Sequence, residues 1–183
     1  MKNIKQLIQY SLSDTDIRDV FKPKKVNIVE YPTLSKVGHI DDLFKDSSYN
    51  FCVVFIPENL AGDQGHWTLV LKHTNGDYEY FDSYRNYGPD SEQKWLSKKL
   101  LKALKIDGPE LTELFLRSNV NEVIVNHYSF QAMKQGINTC GDHVATRALY
   151  RNLSLDDYWK LIKQSGMSPD VFVTEKIYKL LGK

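Results

Sequence analysis

Residues 49–57, YNFCVVFIP, form a nearly uninterrupted apolar run ended by Pro57. Such a run predicts a β-strand buried on both faces, so the chain must cover both sides of any sheet it builds. HWTLVLKH follows as a second strand, and DYEYFDSY as a third after the turn TNG. Further on, SEQKWLSKKLLKALK reads as one helix with Ser91 as cap and Trp95, Leu96, Leu100, Leu101 and Leu104 on one stripe. NEVIVNHYSFQ reads as another strand. SLDDYWKLIKQ and SPDVFVTEKIYKLL read as helices, the latter with Ser168 as cap and Pro169 at its first position. The opening segments are weaker: IKQLIQYSLSDTDIRDVF is helix and turn, and FKPKKVNIVEYPTL an extended stretch broken by Pro23 and Pro32. The sum is an α+β fold, a small mixed β-sheet packed against helices. No repeat or Gly/Ser linker divides it, so residues 1–183 are expected to form one domain.

Charge excludes little and points nowhere: 24 basic side chains balance 23 acidic ones, for a formal net charge of +1. No run approaches the ~20 apolar residues that span a bilayer, and the first residues lack the apolar core of a secretion signal. An intracellular protein with no membrane partner is therefore expected. Two cysteines, Cys52 and Cys140, allow at most one bridge, and no Cys/His spacing suggests a zinc site, so neither a metal nor another cofactor is expected.

Any thiol chemistry therefore falls to a single cysteine. In GINTCGDHVATRALY, Thr139 followed by Asp142 matches a capping box, which would make Cys140 the first residue of a helix whose inner row continues through Val144 and Ala148. Unpaired N–H groups and the helix dipole at that position favour a thiolate, and Gly141 would let a substrate approach the backbone. Taken alone, the window fits a buried, inert cysteine equally well. Cys52, inside FCVVFI, reads as core.

A nucleophilic thiol needs an imidazole, and the imidazole needs an orienting group. Of five histidines, His39 and His127 have no obvious acidic partner, His73 sits at a hairpin turn, and His143, a turn from Cys140, is a candidate base that reads better as structural or solvent-facing; His66, in GHWTLVL, opens a strand whose hairpin partner carries Asp82. Register decides whether they meet. A two-residue Asn75-Gly76 turn would set Leu69 opposite Asp82 and put His66 on the other face. A three-residue Thr74-Asn75-Gly76 loop would instead pair His73 with Asp77 and Thr68 with Asp82, leaving His66 and Asp82 as same-face diagonal neighbours roughly 7–8 Å apart at the backbone. For the oxyanion of acyl transfer, Gln131 at the end of a strand is the favoured donor, with Gln135 in the loop before Cys140 as its rival.

In chain order GHW, FDSY, FQ and NTCGDHV resemble the adenain and ubiquitin-like-protein protease clan, and within it the small maturation proteases of giant viruses, Maverick/Polinton elements and virophages of the mavirus kind. Trp67 after the histidine, Pro89-Asp90 after FDSY, Gly141 after the cysteine and GMSPDVFVT near the end extend the likeness across roughly residues 50–175. The likeness implies a papain-like, adenain-like fold with the nucleophile at the N-terminus of a central helix. It implies Cys140 as nucleophile, His66 as general base and then acid, Asp82 as orienter, and Gln131 with the Cys140 N–H as oxyanion hole. Two departures stand out: Gln131 is farther from Cys140 than in adenain or the ubiquitin-like-protein proteases, and Arg85 replaces a frequent glycine. The implied enzyme is a monomeric thiol endopeptidase cutting capsid or other virion precursors after small residues such as Gly-Gly, located in the virion and the infected host's cytoplasm and not secreted.

Other readings are an isopeptidase acting on ubiquitin-like modifiers, an acyltransferase, or a non-enzymatic capsid or DNA-associated protein. By analogy with adenain, DNA or a peptide could act as activator. The lysines at 94, 98, 99, 102 and 105, and those at 22, 24 and 25, are the basic clusters in question; with balanced total charge they read as solvated faces.

Overall fold

The computed structural model describes residues 3–85 and 88–182. Five strands form one sheet in sequential order: β1 (Asn27–Glu30), β2 (Phe51–Pro57), β3 (Gly65–Lys72), β4 (Tyr78–Phe81) and β5 (Val123–Val125). The two outer pairings are parallel and the two inner ones antiparallel, so the sheet is mixed.

The apolar run of β2 serves two cores. Phe51 and Val53 join Trp67, Leu69, Leu71 and Phe81 in one cluster, while Cys52, Val54 and Ile56 join Val70, Tyr78 and Tyr80 in another. Alternating side chains thus feed opposite faces. The first face is covered by α1 (Ile4–Ile8), α2 (Asp14–Val20), α5 (Cys140–Leu149), α6 (Leu155–Gln164) and α7 (Pro169–Leu181). The second is covered by short 3-10 turns at Tyr31–Lys36 and Ile40–Phe44 and by α4 (Glu110–Arg117).

Three sequence expectations change. Residues 91–105 are not one helix: a 3-10 turn at Ser91–Trp95 ends in extended Leu96, and α3 (Lys98–Ala103) begins afresh where the Ser97 hydroxyl accepts from Leu100 N at 3.1 Å. A serine in mid-helix competes for backbone donors, and here it starts a new helix. Ser91 caps nothing; its hydroxyl donates to Gly88 O, and Trp95 is 66% exposed. Next, NEVIVNHYSFQ contributes only three strand residues, and beyond them the Asn126 side chain, not the ladder, bonds the Asp82 backbone. Helix α4 was not expected at all. Pro109 gives it no side-chain cap, and Asp90 supplies one from a distant loop, accepting from Leu111 N at 2.9 Å and Thr112 N at 2.7 Å.

The hairpin follows the odd-length pattern. His73 N–H donates to Asp77 O at 2.8 Å, Gly76 has φ +94°, and Leu69 pairs with Phe81. That register continues to Thr68 opposite Asp82.

Candidate active site

His66 and Asp82 meet: His66 Nε2 and Asp82 Oδ1 are 3.0 Å apart, with both residues buried. Asp82 is fixed from several sides. Its carboxylate accepts from Tyr84 N at 2.8 Å, and Asn126 brackets its backbone, accepting from Asp82 N at 2.9 Å and donating to Asp82 O at 2.6 Å. Burial works against a charged imidazole at His66. The Asp82 carboxylate outweighs it, holding the His66 pKa well above the usual histidine value, and the Cys140 thiol contributes a further hydrogen bond and charge interaction. With Nε2 taken by Asp82, Nδ1 is the nitrogen left for the thiol.

Helix α5 begins at Cys140, and nine of its ten residues are buried. The neighbouring pair explains how it docks. A Cβ built on Gly141 would stand 2.8 Å from Leu12 Cβ and 3.3 Å from Trp67 Cδ1, while the Trp67 indole donates to Leu12 O at 3.0 Å. Gly141 therefore admits α1's trailing loop and β3, not a substrate chain, and that contact lays His66 alongside Cys140. Gly141→Ala is expected to overpack this junction and destabilise the fold by about 1–3 kcal/mol in urea titration; an unchanged midpoint would show that Leu12 yields freely.

The expected capping box is absent. Thr139 is the cap residue, but it makes no side-chain cap bond; its hydroxyl donates to Asp170 Oδ1 at 2.6 Å. Asp142 is fully buried, and neither carboxyl oxygen has a hydrogen-bond partner among the described residues. Burial, with Asp170 and Asp16 nearby, pushes its pKa well above the usual carboxylate value, so charge is disfavoured there and the side chain does not serve as a cap.

Gln131 lies in a loop beyond β5, not at a strand end, yet it is buried and held. Its Oε1 accepts from Ser83 Oγ at 2.7 Å, which orients the amide nitrogen toward Tyr84 OH at 3.1 Å and Ile137 O at 3.3 Å. Gln135 is exposed in a turn. Tyr84 links the parts: its ring stacks on His66 with centroids 4.8 Å apart, and its hydroxyl accepts from the Gln131 amide at 3.1 Å. Tyr84, Asn126 and Asp170 went unnoticed in the sequence. Tyr84 lay within FDSY and was legible only as a motif letter; Asn126 and Asp170 carry no periodic or spacing signal.

Glu92, also buried, offers a ligand atom within 4.8 Å of ligand atoms of His66 and Asp82. Two members of that group are already bonded to each other, as an acid–base pair requires. Cys52 lies on the opposite face of the sheet from α5, where burial raises its pKa to about 12. A groove of about 800 Å³ runs beside the junction, lined by Leu12, Arg18, Glu30, Gln64, Trp67 and Asn138 among others.

Thiol, imidazole, carboxylate and a fixed carboxamide at the start of a buried helix make up the parts list of a thiol acyl-transfer site. Among known proteins, the chain is 29% identical over 178 residues to "Uncharacterized protein V9" of Sputnik virophage, covering 95% of this chain and 98% of that one. This links the chain to virophages. No protein-family profile matches. Among solved structures, it is similar to the central domain of uncharacterized Lpg1148 protein from Legionella pneumophila, with a TM-score of 0.43 and 16% identity over 94% of this chain and 99% of that one. No helix among the described residues is long and apolar enough to cross a membrane.

Proposed function

We propose that the chain is a cysteine endopeptidase of the adenain-like type, a single catalytic domain that processes virion precursors. The observation that carries this reading is the buried His66–Asp82 pair at 3.0 Å set against Cys140 at the first turn of α5. A raised His66 pKa favours imidazolium beside thiolate, the reactive ion pair. Cys140 Sγ attacks the scissile carbonyl, and the Cys140 N–H and Gln131 amide receive the oxyanion. Imidazolium Nδ1–H protonates the departing amine, and the C–N bond breaks to leave a thioester. The neutral imidazole then removes a proton from water as it attacks the thioester; the C–S bond breaks, the carboxylic acid product departs, and the imidazolium–thiolate pair is restored. Asp82 keeps the ring oriented through both halves. The virophage relative supports a viral setting, and the sequence likeness supports cleavage after small residues.

Thiol reactivity tests the site without knowledge of the substrate. At pH 7 neutral iodoacetamide is expected to modify Cys140 at least about 100-fold faster than Cys52, whose thiol is almost wholly protonated. His66→Ala should remove that advantage. Equally slow labelling of both cysteines in the folded protein would sink the reading.

A further inference from the structure

We infer that Asp170 is a positioning residue for the oxyanion hole, tying together the two segments that supply its donors. This rests on the cysteine-peptidase reading and goes beyond it, since Asp170 lies thirty residues past the nucleophile, in the first turn of α7. Its carboxylate faces both segments at once. Oδ2 accepts from Ala132 N at 3.1 Å, the residue after Gln131. Oδ1 accepts from the Thr139 hydroxyl at 2.6 Å, the residue before Cys140. His143, one turn into α5, donates to Oδ1 from Nε2 at 3.1 Å.

The chemistry suits a fixed strut. Burial opposes charge at Asp170, but bonds from His143 and Thr139 hold its pKa below the usual carboxylate value. Burial lowers the His143 pKa, leaving a neutral ring whose Nε2–H points at the carboxylate. Asp170 is thus a buried anion with three donors converging on it, a charge-assisted arrangement stiffer than neutral bonds. The Gln131 loop has no ladder to hold it, and Thr139 has no cap bond of its own. Ser83 holds the Gln131 side of the loop through Phe130 N, Gln131 N and the Gln131 amide oxygen. The Asp170 carboxylate adds the link that joins the residue after Gln131 to the residue before Cys140, while making no hydrogen bond to His66 or Asp82.

Asp170→Ala removes this double acceptor outright and leaves the Ala132 N–H, the Thr139 hydroxyl and the His143 Nε2–H without their shared partner. Loss of oxyanion alignment is expected to lower kcat roughly 10- to 100-fold with KM changed less than about twofold. The probe is a peptidyl-Gly-Gly-aminomethylcoumarin, with the matching Gly-Gly aldehyde as tetrahedral mimic; aldehyde affinity should fall by the same factor as kcat. The iodoacetamide rate at Cys140 should stay within about twofold, because alkylation forms no oxyanion and His66 is untouched. Thr139→Val should show the same split more weakly, and Thr139→Ser should restore it, which covers an Asp170 variant that folds poorly. A kcat fall matched by an equal fall in alkylation rate would reduce Asp170 to general support of the helix and overturn the inference, as would an unchanged kcat. Wild type that leaves the probe and the aldehyde untouched, with slow labelling of Cys140, would instead refute the peptidase reading beneath it.

Discussion

Cys140→Ala is expected to abolish processing of virion precursors, a loss of at least about 10⁴-fold. On the proposed mechanism Cys140 is the nucleophile, and alanine leaves no sulfur at that position to form the thioester. His66→Ala should be nearly as severe, because in the proposed mechanism the same imidazole holds the thiol's proton, protonates the departing amine and later activates water. Cys52→Ala should leave processing intact, since Cys52 is sealed in the second core with no exposed surface. Co-expression of each variant with candidate precursors, followed by mass spectrometry of the products, separates these outcomes. Cleavage that persists in Cys140→Ala would end the peptidase proposal outright.

Arg147→Ala is expected to cost about 3–5 kcal/mol of stability, the largest single-site effect away from the chemistry. Arg147 is fully buried on α5, and its guanidinium makes two bonds of 2.8 Å to Glu79 on β4. It also donates to Tyr150 O at 2.8 Å and Leu153 O at 3.0 Å, which anchors the turn leading out of α5. Truncation strands the Glu79 carboxylate in the core with only His73, at 2.9 Å, to answer it. Replacing both partners, Arg147→Met with Glu79→Leu, removes the stranded charge and should recover most of the loss. Urea midpoints for the two variants provide the check; a single variant within about 1 kcal/mol of wild type would show that water or His73 satisfies Glu79 unaided.

The inner strands were legible from local pattern, whereas the sequence allowed two hairpin registers, and the structure adopts the odd-length one in which His66 and Asp82 meet. TNG with left-handed Gly76 constrains the register, and the register brings both residues to one face. What escaped depends on contacts distant in the chain. Thr139 and Asp142 carry a capping-box spacing, yet Asp170 draws the Thr139 hydroxyl away and burial disfavours charge on Asp142. The stripe from Trp95 to Leu104 has helical period, yet Ser97 restarts the helix. The α4 cap comes from Asp90, about twenty residues upstream, and no local window contains both partners. Gln131 over Gln135 was a preference from sequence; the buried amide anchored by Ser83 supports it.

The burial of nine of α5's ten residues bears on regulation. Many enzymes keep their reactive groups on segments that open locally at small free-energy cost. Here Cys140 packs in the same apolar cluster as Val144, Ala145 and Ala148, so loosening the start of α5 would disturb that core. On the proposed reading, control would therefore come through access to the cleft or the supply of substrate, with the thiol kept in place.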